Sequence, residues 1–196
     1  LPDDREDFDQ SNRYFYRYLH SGKMGDNWLL NIDYNGLSDD NYIVDFGSDY
    51  YNRADTHLYQ TLDVSYYTEN IDFSLRFRDF ETIGDHPSNY RALPEIKLNY
   101  HSDGFAGLEF RVASELAYFE NQQQGLANAT RLHLAPSIAL PLRSQWGEFL
   151  AEVTWLNTHY KQENIEGNEL DESASRSLGQ GRLYGALYFE RDTQWL

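Results

Sequence analysis

Six charged residues fall at alternate positions in three neighbouring segments of the 196-residue chain: Arg76 and Arg78, Glu95 and Lys97, Glu109 and Arg111. Alternate positions of an extended chain share a face, so the two charges of each pair point the same way. A tight turn over 101–105 predicts Lys97 opposite Glu109 and Glu95 opposite Arg111, with Arg76 flanking Glu95 from the other side. The chemistry of such a ladder is ion pairing across strands, worth about 0.2–1 kcal/mol per pair, on a face that tolerates water. Hydrolytic chemistry has no comparable signal. The histidines His20, His57, His86, His101, His133 and His159 form no H-E-x-x-H pattern, and neither a G-x-S-x-G elbow nor a phosphate loop is present. A Ser-His-Asp site assembled from separate strands stays open, but nothing singles out one serine. No catalytic residue and no cofactor are expected.

The acidic links pose a second question. "SDDNYIVDFGSD" carries Asp39, Asp40, Asp45 and Asp49, and "ENIEGNELDE" carries Glu163, Glu166, Glu169, Asp171 and Glu172. Carboxylates suit Ca²⁺ or Mg²⁺, yet the first segment lacks the calcium-loop pattern D-x-[DN]-x-[DN]-G. Solvated loops account for both segments, and no metal site is expected. The formal charge of −16 argues against a nucleic-acid partner. Cysteine is absent, which removes disulfides and thiolate ligands.

The elements that must position these side chains read as strands. Tyrosine occurs 16 times and alternation dominates the chain. Nine strands are expected, roughly at 13–20, 27–36, 56–67, 71–80, 90–101, 106–119, 130–142, 148–161 and 181–191. In "IDFSLRFRDF", Ile71, Phe73, Leu75 and Phe77 share one face, and Asp72, Ser74, Arg76 and Arg78 the other. In "ATRLHLAPSIALPL", Leu132, Leu134, Pro136, Ile138, Leu140 and Leu142 form an apolar stripe against Arg131, His133 and Ser137. Pro136 donates no ladder hydrogen bond. It predicts either a local bulge or weakened pairing, or else a site where the ladder needs no donor.

Short turns ("SGKMGD", "TEN", "HSDG", "SQWG") alternate with long links (37–55, 81–89, 121–129, 162–180) along the whole chain. A meander with tight turns at one end and long loops at the other is the pattern of an outer-membrane barrel. Several strands also reach the ~9–11 residues that a tilted spanning strand needs. No apolar run approaches the ~20 residues of a membrane helix. The expected fold is therefore all-β: an antiparallel up-and-down meander forming part of a large transmembrane barrel. Leu132, Leu134, Ile138, Leu140 and Leu142 would then face lipid and the charge ladder the lumen. The rivals are a small complete barrel, either a pore or a lipid-modifying enzyme, and a soluble carbohydrate-binding β-sandwich. The first predicts closure and, for an enzyme, a Ser–His contact; the second predicts Leu132, Ile138 and Leu140 in a packed core.

The stretches "NWLLNIDYNGLSDDNYIVDFG", "ATRLHLAPSIALPL", "WG", "NTHYKQ", "LDES" and "FERD" together resemble the LptD family of LPS-assembly outer-membrane proteins. The resemblance implies a barrel of about 26 strands that transports lipopolysaccharide to the outer leaflet of the Gram-negative outer membrane. It also implies an LptE-like plug lipoprotein, a periplasmic LPS-bridge protein docked on an N-terminal domain, and barrel-assembly machinery during folding. On this reading residues 1–196 are a partial barrel domain, without the periplasmic domain or the first and last strands. The absence of a leading Met and the odd count of nine point the same way. The ladder Arg76, Arg78, Glu95, Lys97, Glu109 and Arg111 is then either a wet lining or a surface that grips the plug or guides polar sugars.

Overall fold

The computed structural model of the chain describes residues 12–84, 90–104, 106–121, 126–165 and 170–190. Nine strands follow one another: β1 (Phe15–Met24), β2 (Trp28–Leu37), β3 (His57–Tyr67), β4 (Ile71–Thr82), β5 (Arg91–Ser102), β6 (Glu109–Glu120), β7 (Asn128–Ser144), β8 (Gly147–Glu163) and β9 (Ser173–Leu187). They form a single antiparallel sheet in the order β1 to β9, each pairing only with its sequence neighbours. β1 and β9 do not pair with each other, so the sheet does not close on itself. One short helix, α1 (Tyr42–Phe46), lies in the link between β2 and β3.

The alternation explains why the sheet is one layer. A sheet with a continuous apolar face normally buries it against a second layer. Here the buried apolar residues are few: Ile43, Leu58, Phe80, Ile83, Ala117 and Ala139 among the described residues. The cluster of Ile43, Leu58 and Ile83, with Phe15, Leu37, Tyr42 and Tyr51 against it, anchors α1 at the long-link end of β1–β4. It is a clasp on one corner rather than a domain core. The sandwich reading required a packed interior around Leu132 and Ile138; both are about half exposed, at 50% and 48%.

The tight-turn edge is held by the turn residues themselves. Asn27 Nδ2 donates to the Tyr67 carbonyl at 2.5 Å, and the Tyr67 amide donates back to Asn27 at 2.9 Å. Asn70 makes the same reciprocal pair with His101, at 2.9 Å each way. Each asparagine thus ties its own hairpin to the next. Gly104 turns the chain between β5 and β6 at φ 49°, where a Cβ would run into the Leu108 carbonyl oxygen.

Four sequence expectations need correction. The β5–β6 register places Lys97 opposite Glu115 and Glu95 opposite Ala117, whereas Glu109 and Arg111 face Ala139 and Ser137 of β7. The strands separate after Ser102 and Phe110, so the connection is longer than the tight turn assumed and the partner of Lys97 moves six residues along β6, from Glu109 to Glu115. Second, β9 begins at Ser173 rather than 181, because "SASRSLGQ" is polar yet fully paired with β8. Third, Pro136 brings the weakened pairing rather than the bulge: β7 keeps one register with β6, and its pairing with β8 lapses at Ala135 and Pro136 before resuming unchanged. The bulge lies in β5 instead, where the register with both β4 and β6 shifts between Ala92 and Glu95, around Pro94. Finally, α1 interrupts a link read as loop.

Candidate functional site

Strand pairing fixes which residues share a face, since directly opposed residues point the same way. On one face Arg76 pairs with Asp63, Glu95 with Lys97, and Glu115 with Arg131. Lys97 Nζ also lies 3.7 Å from Glu115, joining the pairs into a row across β3–β7. A second row runs from β6 to β8: Arg111 pairs with Glu109 and lies 3.5 Å from Glu152. On β1–β2, Arg17 holds Asp33 with two hydrogen bonds, at 2.9 and 2.6 Å. Of the six expected ladder residues, Arg76, Glu95, Lys97, Glu109 and Arg111 join ion pairs, and Arg78 makes none among the described residues. Glu95 does sit opposite Arg76, as its flanking position suggested.

Four members were absent from the expected ladder: Asp63, Glu115, Arg131 and Glu152. Their signal was parity combined with sign. Charges on this face alternate between strands as Asp63, Arg76, Glu95 and then Lys97, Glu115, Arg131, which a corrected register would have revealed.

The opposite face is apolar and bare. Leu132, Leu134, Ile138 and Leu142 are 42–53% exposed, and Leu140 is half-buried. Ile138 pairs with Val153 and Leu142 with Phe149, so the stripe continues onto β8. Glu95, Glu115 and Glu152 side chains are only 16–19% exposed. The usual soluble arrangement is therefore inverted: the carboxylates are sheltered and the leucines are open. Such an inversion suits a wall between an apolar medium and an aqueous space.

The segment between β2 and β3 folds back toward the polar face at its long-link end. Arg13 grips Asp39 with two hydrogen bonds, at 2.9 and 2.7 Å, and Asp45 with a third at 2.7 Å. Arg17, on the polar face, lies 4.6 Å from the centre of the Tyr50 ring. Burial works to raise the Asp39 carboxyl, but hydrogen bonds from Arg13 and Ser38 and the Arg13 charge outweigh it and hold the group below its ordinary range.

A Ser–His contact does exist. His159 Nδ1 lies 2.7 Å from Ser175 Oγ, on the exposed face of β8–β9. No acidic or amide side chain is hydrogen-bonded to this imidazole among the described residues, so the orienting third member of a hydrolytic relay is missing. The groups of three or more His, Asp or Glu that a metal would need are also lacking among the described residues.

The family model described as "LPS transport system D" matches residues 11–196, nearly the whole chain. The chain belongs to the LptD family. It is 54% identical over 195 residues to the LPS-assembly protein LptD of Pseudoalteromonas atlantica, covering 100% of this chain and 26% of that protein. To the same-named protein of Shewanella frigidimarina it is 38% identical over 186 residues, covering 94% of this chain and 24% of the relative. To that of Salmonella typhimurium it is 32% identical over 203 residues, covering 99% and 26%. The chain thus spans about a quarter of the length of these curated LptD relatives. Within that quarter, the LptD-like stretches map onto β2 with α1, and onto β7 and β8.

Proposed function

We propose that this chain forms part of the wall of an outer-membrane barrel that transports lipopolysaccharide and inserts it into the outer leaflet. The observation that carries the reading is the inverted sheet: an open stripe of Leu132, Leu134, Ile138, Leu140 and Leu142 backed by a sheltered ion-pair network. In hydrocarbon every backbone polar group must be paired, which the nine-strand ladder achieves apart from the lapse at Ala135–Pro136 and the bulge around Pro94. β1 and β9 carry open edges, and further strands of the protein would pair with them and close the barrel.

The network then lines the lumen. Its charges are mutually compensated, so it gives the sugar and phosphate groups of lipopolysaccharide a wet path without trapping one sign of charge. The same surface would seat an LptE-like plug lipoprotein. A periplasmic LPS-bridge protein would deliver substrate through an N-terminal domain outside this segment, and barrel-assembly machinery would fold the whole. No step requires a catalytic residue here; the free energy for transport would come from elsewhere in the pathway.

Spin-label accessibility in the full-length protein tests the reading. Ile138→Cys and Ser137→Cys are neighbours on opposite faces. A label at 138 is expected to be relaxed by oxygen dissolved in the bilayer, and one at 137 by an aqueous nickel chelate. Equal aqueous access at both positions would remove the wall interpretation.

A further inference from the structure

The apolar face changes character at the long-link end of β7–β9. Leu132 sits opposite His159, which sits opposite Ser175; Leu134, Asn157 and Ser177 form the next row; Thr130, Lys161 and Ser173 form the row beyond. Leucines thus give way to amide, imidazole, hydroxyl and ammonium groups on the same face of the wall. Trp155, 53% exposed, stands just inside the change, as ring side chains do at headgroup level. A cavity of about 300 Å³ opens there, with Leu132 and Leu134 on one side and Asn157, His159, Ser175 and Ser177 on the other.

The hydrogen bonds within this patch consume acceptors and leave donors. Asn157 Oδ1 accepts from Trp155 Nε1 at 3.1 Å and from Ser177 Oγ at 2.9 Å. The indole can only donate, which fixes the amide orientation and leaves the Asn157 NH₂ group without a partner among the described residues. His159 uses Nδ1 on Ser175 and leaves Nε2 unbonded among the described residues. Lys161 has only a loose contact of 3.9 Å with Glu163, and both side chains are largely exposed. What remains unspent is an ammonium, an amide NH₂ and an imidazole nitrogen, beside two leucines. That set complements an anionic, hydroxyl-rich group carrying an acyl chain.

We propose that this patch is a binding site on the outer wall for the phosphorylated sugar headgroup of lipopolysaccharide. Phosphate rests on Lys161 and His159, a sugar hydroxyl or amide on Asn157, and the first acyl segment on Leu132 and Leu134. The proposal rests on the wall reading above, which turns this face toward lipid and this end toward the outer leaflet. The site is separate from the lining network, on the opposite face of the same strands. Its effect would be to hold a lipopolysaccharide molecule against the wall and order the leaflet there.

The test uses the full-length protein purified with its partner lipoprotein and washed in detergent, so that only retained lipid remains. A photo-crosslinking residue replaces Ser177, and in a second protein Ile138, which lies on the same face in the apolar stripe. Illumination is expected to give a lipopolysaccharide adduct at 177 and little at 138. Lys161→Gln, on a side chain too exposed to matter for folding, and Asn157→Leu are each expected to lower the 177 adduct several-fold, and together about tenfold or more. Equal adducts at 177 and 138, an adduct with glycerophospholipid alone, or indifference to both substitutions would overturn the site. Those results leave the spin-label comparison of residues 137 and 138 untouched, so failure of the site and failure of the wall reading are separable.

Discussion

Arginine placed along the outward stripe of β7 should report the depth of each position. Leu132 and Leu142 are ten residues apart on one continuous strand. At ~3.4 Å per residue that is about 34 Å along the strand, and a tilt near 40° leaves about 26 Å of height. The outward apolar band of an outer-membrane barrel is about 25 Å tall, so on the proposed wall reading the two leucines would mark its edges and Ile138 would lie near its middle. Ile138→Arg should then cost about 2–4 kcal/mol, and Leu132→Arg or Leu142→Arg about 0–1 kcal/mol. Thr154→Arg, on the polar face beside Ser137, is the control. A guanidinium there meets Glu152 and water, and the change should stay within about 1 kcal/mol. The assay is the amount of each full-length variant assembled in the outer membrane, combined with its urea midpoint in lipid vesicles. A flat profile along the stripe, or a larger penalty at Thr154 than at Ile138, would refute the assignment of faces.

Four further outcomes follow from single contacts. Arg13→Ala should free the 38–56 segment from β1, seen as faster proteolysis within that segment while the strands stay protected. The same clasp should weaken in acid: the Asp39 carboxyl is held below its ordinary range, so its contribution is complete above about pH 4 and is lost as pH falls through its folded value; proteolysis of that segment between pH 7 and pH 3 checks this. In a double-mutant cycle, Glu115→Gln and Arg131→Met should couple by about 0.2–1 kcal/mol, because the pair is cross-strand and wet. Gly104→Ala forces a Cβ into the Leu108 carbonyl at positive φ, and should lower the unfolding free energy read from urea titration in vesicles by more than the ~1 kcal/mol typical of a simple glycine replacement.

Most of the architecture was legible because a period of two survives in every central strand. Ile71 to Phe77 and Leu132 to Leu142 announce their faces with no help from tertiary context. The strand beginning at Ser173 was not legible to that test. Its residues Ser175, Ser177, Gly179 and Gly181 on the face of the leucine stripe carry no apolar beat; they pair with His159, Asn157, Trp155 and Val153, and at Gly179 the Trp155 ring lies over the space a side chain would fill. A strand can be specified by its partner's side chains, and periodicity within one segment cannot see that. The helix at Tyr42–Phe46 was hidden for a related reason: it is five residues long and held by Ile43 packing against Leu58 of β3 and Ile83 just past β4.

Site residues were legible by face and illegible by partner. Parity alone put Arg76, Glu95, Lys97, Glu109 and Arg111 on the polar side, and there they lie. Partnership needs register, and register depends on where a turn begins. The shift from a Glu109 partner to a Glu115 partner for Lys97 keeps every face assignment, because it moves the register by an even number of residues. An odd shift would have exposed the charges to the apolar side at severe cost, so hydrophobic alternation excludes odd errors and leaves even ones open. The charges alone do not choose among the even registers, since the expected one also set Lys97 against Glu109 and Glu95 against Arg111; the longer connection between β5 and β6 does. The one observed puts Lys97 between Glu95 and Glu115 and leaves Arg111 to reach Glu152 on β8, so that opposite signs meet along both rows. Alternation thus fixes the faces of this sheet, and the place where the turn begins fixes which charges meet on the polar one.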